Sequence, residues 1–485
     1  MSILFRSAFG LADDIRAGKL SAVAVLEFYL ERIERLNESL NAVVALDSIN
    51  ALAGAVAADR AAAQGENWGP LHGVPMTIKD AWLTKGMLTT GGIPERQNYI
   101  PQNNALGVQR LVDAGAIVFG KTNVPFMSGD LQTYNEVYGV TNNPWDRERT
   151  CGGSSGGAAA ALAAGLTPLE FGSDIGGSIR TPCHFNGVYG HKSSYQLVGT
   201  RGHLPPGDNV LAELDLASAG PIASCVDDLE QALEVLARPA SDRVSSEQHS
   251  LPAPSFEDVR QLRVAVWSDD VFCSVETSIK NHIEAAADTL EQLGAQVDRS
   301  ARPELDPGAN HNNYLQLMLA VLGADMPESV REAARNMVAA AAPDDMREPL
   351  PQMRGIAIDH RDWLTQNEVR QRSREAWGDF FRDFDVLLCP CAPVPAFPHD
   401  HNPNMQKRTL SVNGDVRPYS EIMKWAGLTL NAYLPATAVP LGTTNDGLPV
   451  GMQIASRFMG DKTCLAVAKL IETHHHAFVP PPGYA

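Results

Sequence analysis

Cysteine is scarce in this 485-residue chain: seven thiols stand at positions 151, 183, 225, 273, 389, 391 and 464. An odd, scattered set excludes the dense disulfide framework of a small secreted domain and points to a reducing compartment. Positive charge is short as well. The 57 acidic residues outnumber the 39 basic ones, giving a net charge of -18. That balance excludes nucleic acid or an anionic membrane as the main partner, because each phosphate contact asks for a cation. No apolar run approaches eighteen residues, and the opening MSILFRSAFG is too short for a signal h-region. A soluble cytoplasmic protein is expected. No repeat at a solenoid period appears, and His474 to His476 are followed by ordinary sequence and read as native surface.

What is present is ordinary globular material, 44% hydrophobic and 20% charged, so most of the chain is expected to fold, as one to three domains. Ser21 opens a helix in which Leu26, Tyr29, Leu30, Ile33 and Leu36 recur at helical spacing, with Glu27, Glu31, Arg32, Glu34 and Arg35 on the other positions. An alanine-rich helix follows from about Ala51 to Ala63. After Gly65 short β-branched pieces (VPMTIKD, AIVFGKT, NGVYGHKSS) alternate with helical stretches such as Asn104 to Ala114 and Ser155 to Ala164, an α/β pattern. The Pro- and Ser-rich stretch 237–257 reads as a surface connection. Beyond it LRVAVW, the helix Thr277 to Leu293 and AQVDR suggest a βαβ unit, 301–375 is mostly helical, strands return at DVLLCP and VPLG, and a helix around Lys462 to Thr473 closes the chain.

Two familiar motifs lack their structural context. Gly115 to Thr122 satisfies GxxxxGK[ST], but AIVF in its middle is an apolar strand where a phosphate loop needs free N–H groups, and Pro125 interrupts the helix that should follow. The GxSxG pattern occurs twice within Cys151-Gly-Gly-Ser-Ser-Gly-Gly157, preceded by the polar NPWDRERTC and not by the strand that a nucleophile elbow follows. An α/β-hydrolase-like esterase using Ser154 or Ser155 is thus an alternative reading. In Gly172-Ser-Asp-Ile-Gly-Gly-Ser178-Ile-Arg180, adjacent glycines can turn N–H groups toward one point, beside a serine able to attack a carbonyl. Lys79 ends the apolar block GVPMTIKD; such a lysine can snorkel, yet burial also lowers its pKa as a general base requires.

Together, GVPMTIKD, GGSSGG and GSDIGGSIR, with Lys79 and Ser154 separated by 75 positions and Ser154 and Ser178 by 24, resemble the amidase signature family. GPLHGVP at 69–75, GKTNVP at 120–125, NPWD at 143–146, GPIASCVDDLE at 220–230 and GLPVGMQI at 447–454 extend the resemblance over nearly the whole chain. It implies an α/β fold with a large, mixed, twisted central sheet covered by helices on both faces. It also implies a single domain over 1–485: a helical part to about 65, a signature core about 66–236, a more helical variable region about 258–375 and a return to the core about 380–475.

The resemblance further implies a stand-alone amide hydrolase with a Ser–cis-Ser–Lys triad on Ser178, Ser154 and Lys79, the Gly153–Ser154 peptide being cis. Neutral Lys79 would take a proton through Ser154, Ser178 would attack the amide carbonyl, and the N–H groups of Ile175, Gly176, Gly177 and Ser178 would hold the oxyanion. Ser155 would bond within the site or cap the next helix, Asp174 and Arg180 would fix the nucleophile loop, and Ser128 would touch substrate. The partner is a small-molecule amide, with no cofactor, no metal, and a homodimer as the oligomer expected. The chain departs from the family at Gly190-His-Lys-Ser-Ser194, where GLKPT is common, and at Cys151, which reads as a packed small side chain.

Cys389-Pro-Cys391 with His399 and His401 could suggest a metal site, but CxC is tighter than usual zinc pairs. A glutaminase-type subunit of a tRNA-dependent amidotransferase is a second alternative; it expects SDTGGSIRQPA and SSLDQ, where this chain has SDIGGSIRTPC and AELDLASAGPI. Specificity is expected from 125–145, 196–216 and 305–375. Tyr134, Tyr138, Trp145, Tyr314, Met318 and Trp425 are open to either a pocket or a core reading.

Overall fold

Ser21 caps the helix Ala22–Leu40 by accepting from the Ala24 N–H, the bond that an N-cap serine is suited to make. Val25, Leu26, Tyr29 and Ile33 are buried at the expected spacing, and so is Arg32. Sequence pattern places Arg32 on the polar face. In the computed structural model its guanidinium instead donates to the carbonyls of Ala164, Gly165 and Tyr484, which replace the water it gave up. The structure describes residues 3–205, 207, 210–237, 251–342 and 344–485. Most of the connection read over 237–257 lies outside them.

Eight strands form a mixed sheet in the order Gln296–Asp298, Arg263–Val266, Val386–Pro390, Pro449–Ala455, Ala436–Thr443, Tyr189–Lys192, Ser218–Ala223 and Leu169–Asp174. The first three run parallel to one another and the other pairings are antiparallel. Arg263–Val266 and Gln296–Asp298 pair in parallel across the helix Thr277–Gln292, the βαβ unit read from sequence. All residues of Leu169–Asp174, Val386–Pro390 and Pro449–Ala455 are buried. These strands are covered on both faces, so even Glu170, Asp174 and Gln453 are buried, and their side chains are satisfied by hydrogen bonds within the protein.

The Lys79 strand lies outside this sheet. Pro75–Lys79 pairs in parallel with Ile117–Thr122, which pairs antiparallel with Val43–Leu46, to make a three-stranded sheet. Hydrogen bonds dock it against the large sheet: the Thr77 hydroxyl donates to Glu170 at 2.6 Å and the Thr77 N–H to Thr167 at 3.1 Å. Between residues 301 and 385 come the helices Pro307–Leu322, Glu328–Ala340, Leu350–Ala357 and His360–Asp383. No described helix is long and apolar enough to cross a membrane.

Candidate active site

Lys79 is the last residue of its strand and is fully buried. Its Nζ lies 2.7 Å from Ser154 Oγ and 2.8 Å from Ser173 Oγ. Burial pushes its pKa down to about 7, against the opposing pull of Asp174 and Glu170. A buried ammonium flanked by hydroxyls, with no carboxylate among the described residues in hydrogen-bonding contact, can exchange a proton near neutral pH.

Ser154 is carried by a cis Gly153–Ser154 peptide, as the resemblance implies. Glycine is required at 153 by close approach: a Cβ there would stand 2.7 Å from the Asp130 carbonyl oxygen and 2.9 Å from the Gln132 nitrogen. No strand precedes Ser154 directly, and the helix Gly156–Ala163 begins two residues later. The strand-turn-helix of a nucleophile elbow is therefore not formed, which removes the basis of the esterase alternative. Ser155 occupies the position before this helix without capping it through its side chain. Its hydroxyl donates to the Ser173 carbonyl at 3.4 Å and its N–H to the Ser178 carbonyl at 3.1 Å.

Ser178 follows the strand Leu169–Asp174 at the end of the loop 175–178 and is 5% exposed. Its hydroxyl has no hydrogen-bond partner among the described residues, Ser154 included. The loop is shaped by Asp174, which accepts from the N–H groups of Gly177 at 2.8 Å and Ile179 at 3.1 Å and from Arg180 Nε and Nη2, each at 3.0 Å. Burial alone would raise the Asp174 pKa; Arg180 outweighs it and holds the carboxyl well below its ordinary range. Arg180 Nη1 continues to Thr429 Oγ1 at 2.7 Å and Gln453 Oε1 at 2.6 Å. Gly177 adopts φ +104, a conformation only glycine enters freely. Of the four N–H groups expected to face an oxyanion, that of Gly177 is thus taken by Asp174, while those of Ile175, Gly176 and Ser178 find no protein acceptor among the described residues.

The other expected residues fall into distinct places. Ser128 has φ +55 and a buried hydroxyl without a partner, two residues before the Asp130 carbonyl that abuts Gly153. Tyr314 donates to the Ile175 carbonyl at 2.7 Å, which places it against the loop 175–178, and it touches Met318. Trp425 is buried with its Nε1 bonded to the Cys273 carbonyl, and Trp145 Nε1 donates to the Asn186 carbonyl. Tyr134 Oη accepts from Arg408 and its ring stacks on His401. Cys151 is buried, its thiol pushed up to about 12 by that burial. Among the described residues no three His, Cys, Asp or Glu side chains converge as a metal site needs. In Gly190-His-Lys-Ser-Ser194, His191 bonds Asp461 at 3.0 Å and Thr437 at 2.8 Å, and the Ser194 hydroxyl donates to Asp461 at 2.6 Å. The departure thus builds a buried polar network. Within the false phosphate loop, Lys121 donates to the Trp82 carbonyl and to Thr84.

Sequence reasoning missed two residues. Ser173 lies inside the quoted GSDIGGSIR block but carried no assigned role. His203, bonded to Ser173 at 2.8 Å, gave no signal beyond being a histidine in TRGHLPP.

Fold and site together define an enzyme of the amide-hydrolysing class. A family model described as Amidase matches residues 24–465, and the chain belongs to the amidase family. It is 33% identical over 473 residues to an indoleacetamide hydrolase of Bradyrhizobium diazoefficiens, covering 96% of this chain and 86% of that protein. It is 30% identical over 494 residues to a glutamyl-tRNA(Gln) amidotransferase subunit from Bdellovibrio bacteriovorus, covering 97% of each. Among solved structures it is similar to a bacterial aryl acylamidase of the amidase signature family, with a TM-score of 0.79, 25% identity, and 97% of this chain and 96% of that one covered.

Proposed function

We propose that the protein hydrolyses the C–N bond of a small-molecule amide through an acyl-enzyme on Ser178. The observation that carries this reading is the 2.7 Å contact between Ser154 Oγ and the fully buried Lys79 Nζ. Ser178 Oγ attacks the carbonyl carbon, its proton passes to Ser154, and Ser154 hands its own proton to neutral Lys79. The N–H groups of Ile175, Gly176 and Ser178 receive the negative charge that forms on the carbonyl oxygen. As the tetrahedral species collapses, the proton returns through Ser154 to the departing nitrogen, which leaves as amine or ammonia. Water then attacks the ester, losing a proton to the same relay, and Ser178 recovers its hydrogen as the acid departs.

Ile175, Tyr314, Met318 and Met423 make the flank of the nucleophile loop apolar. That wall suits an apolar or aryl acyl group, in line with the indole on the acyl side in the name of one relative. The substrate proposed is an uncharged amide of that kind, acted on without a cofactor.

Exposure to an alkyl fluorophosphonate followed by intact mass and peptide mapping tests the reading without presuming a substrate. Label on Ser178, lost in Lys79→Ala and in Ser178→Ala, is expected. Label on Ser154 or Ser155 in place of Ser178, or full labelling of a folded Lys79→Ala protein, would overturn it.

A further inference from the structure

Ser173 Oγ stands between two nitrogens, 2.8 Å from Lys79 Nζ and 2.8 Å from His203 Nε2. The other ring nitrogen, His203 Nδ1, lies 3.0 Å from the Pro205 carbonyl oxygen. A peptide carbonyl can only accept, so Nδ1 carries the hydrogen; on a neutral ring Nε2 then offers only a lone pair. Burial, reinforced by the Lys79 charge, pushes the His203 pKa down to about 3, so the ring is neutral. The Ser173 hydroxyl must therefore donate to His203. Its single hydrogen is committed there, and it faces Lys79 with lone pairs alone.

The ring is held in this position. Trp82 stacks on Phe171 with centroids 4.7 Å apart and presents itself to His203 at 86°. The turn is tied to the segment just after Lys79 by Leu83 N–H to the Gly202 carbonyl at 3.0 Å and Leu204 N–H to the Ala81 carbonyl at 2.7 Å.

A neutral lysine has two N–H bonds and one lone pair. At Lys79 the two hydroxyl neighbours differ: Ser173 can accept but not donate, whereas Ser154 can still donate. We propose that His203 is a positioning residue which, by turning the Ser173 hydroxyl away from Lys79, aims the lone pair of the neutral amine at the Ser154 hydroxyl. The proton relay then has a built-in direction, set from outside the three residues that carry it. This inference rests on the reading of Lys79 as the base given above. The charged groups whose fields reach Lys79 are Asp174 and Glu170, and neither touches Ser173 Oγ.

The test uses the rate of Ser178 labelling by an alkyl fluorophosphonate, measured across the pH range around neutrality. His203→Asn keeps a donor for the Pro205 carbonyl but falls short of Ser173, whereas His203→Gln places an acceptor near the Nε2 position. His203→Asn is expected to slow labelling on the order of tenfold, the range for groups in one hydrogen-bond network, and His203→Gln to recover most of the loss. The acid limb of the profile should stay in place or move to lower pH in His203→Asn, because a freed Ser173 hydroxyl can donate to the neutral amine and stabilise it. Loosened packing would do the opposite, hydrating Lys79 and moving the limb up toward the ordinary lysine value. In a Ser173→Ala background, His203→Asn should cost nothing further. His203→Leu replaces the Asn variant, with the same expectations, if the latter does not fold.

A wild-type rate in folded His203→Asn, an upward-shifted acid limb, or the full penalty persisting in the Ser173→Ala background would each overturn the proposal. Absence of label on wild-type Ser178 would instead overturn the parent reading, before any His203 variant is made.

Discussion

Lys79 and Lys192 are both fully buried, and burial drives both down to about 7. By pKa alone they are the same group. Their partners separate them. Lys79 meets two hydroxyls, Ser154 and Ser173, whereas Lys192 donates to the carbonyls of Ser193 and Leu434. The Ser154 hydroxyl can accept from the ammonium and donate to the neutral amine, so that contact can deliver a proton to Lys79 once its own is lost. A carbonyl cannot donate, so Lys192 has nowhere to receive a proton from. The difference teaches that a lowered lysine pKa marks burial, and that the neighbours decide which proton exchange is open to the amine.

Exchanging the two lysines in turn gives the largest contrast. Lys79→Met should cut amide hydrolysis and Ser178 labelling by about 10²–10⁴-fold, the contribution of a positioned base, while thermal unfolding changes little. Lys192→Met should leave the labelling rate in the wild-type range and lower the unfolding free energy by about 1–3 kcal/mol, since buried carbonyls lose their donor. Denaturant titration beside labelling kinetics reads both effects, and a reversed pattern would break the comparison.

The next contrast is structural. Arg180→Met should destabilise by about 3–5 kcal/mol, because it leaves Asp174 buried without its cation, and Ser178 labelling should fall with it. Urea midpoints of the variant and the wild type measure this. With the Asp174 pKa held below its ordinary value, the stabilisation is present above the usual carboxylate pKa and is lost as pH falls through the depressed one.

A pH profile sharpens the contrast between the lysines. Activity should rise as pH increases through about 7, because Lys79 must lose its proton to act. Lys192→Met should keep that limb unchanged, and a shift in that variant would assign the limb to the wrong lysine. The smallest expected effect is at Cys151: Cys151→Ala should cost about 1 kcal/mol and leave the rate intact. Iodoacetamide should leave this thiol unmodified in the native protein, as followed by mass spectrometry, because burial pushes it up to about 12.

The candidate site residues were legible because each sits in a short block whose neighbours constrain it. Gly152, Gly153 and Gly157 around Ser154 are demanded by close backbone contact, and Asp174 and Arg180 reach one another across six positions. What was not legible depends on distant pairing. The Lys79 strand belongs to a separate sheet because its partner is Ile117–Thr122, which hydropathy patterning does not reveal. Arg32 looked like a surface charge because the carbonyls that receive it come from residues more than 130 positions away. His203 was invisible for the same reason: its meaning lies in Ser173, thirty positions earlier. Trp425 and Tyr314 could not be told apart by residue type, since a core and a site wall ask for the same aromatic rings.

The Arg180 contact to Gln453 joins residues 273 positions apart. At 5–20 residues per second, roughly 14 to 55 s of translation separate the emergence of these two partners. Throughout that interval a nascent chain carries Asp174 and Arg180, but not the Gln453 amide that holds the outer end of the guanidinium. The last anchor of Arg180 thus arrives late in synthesis, with the strand Pro449–Ala455, and chains released before that point would carry the Asp174–Arg180 pair without it.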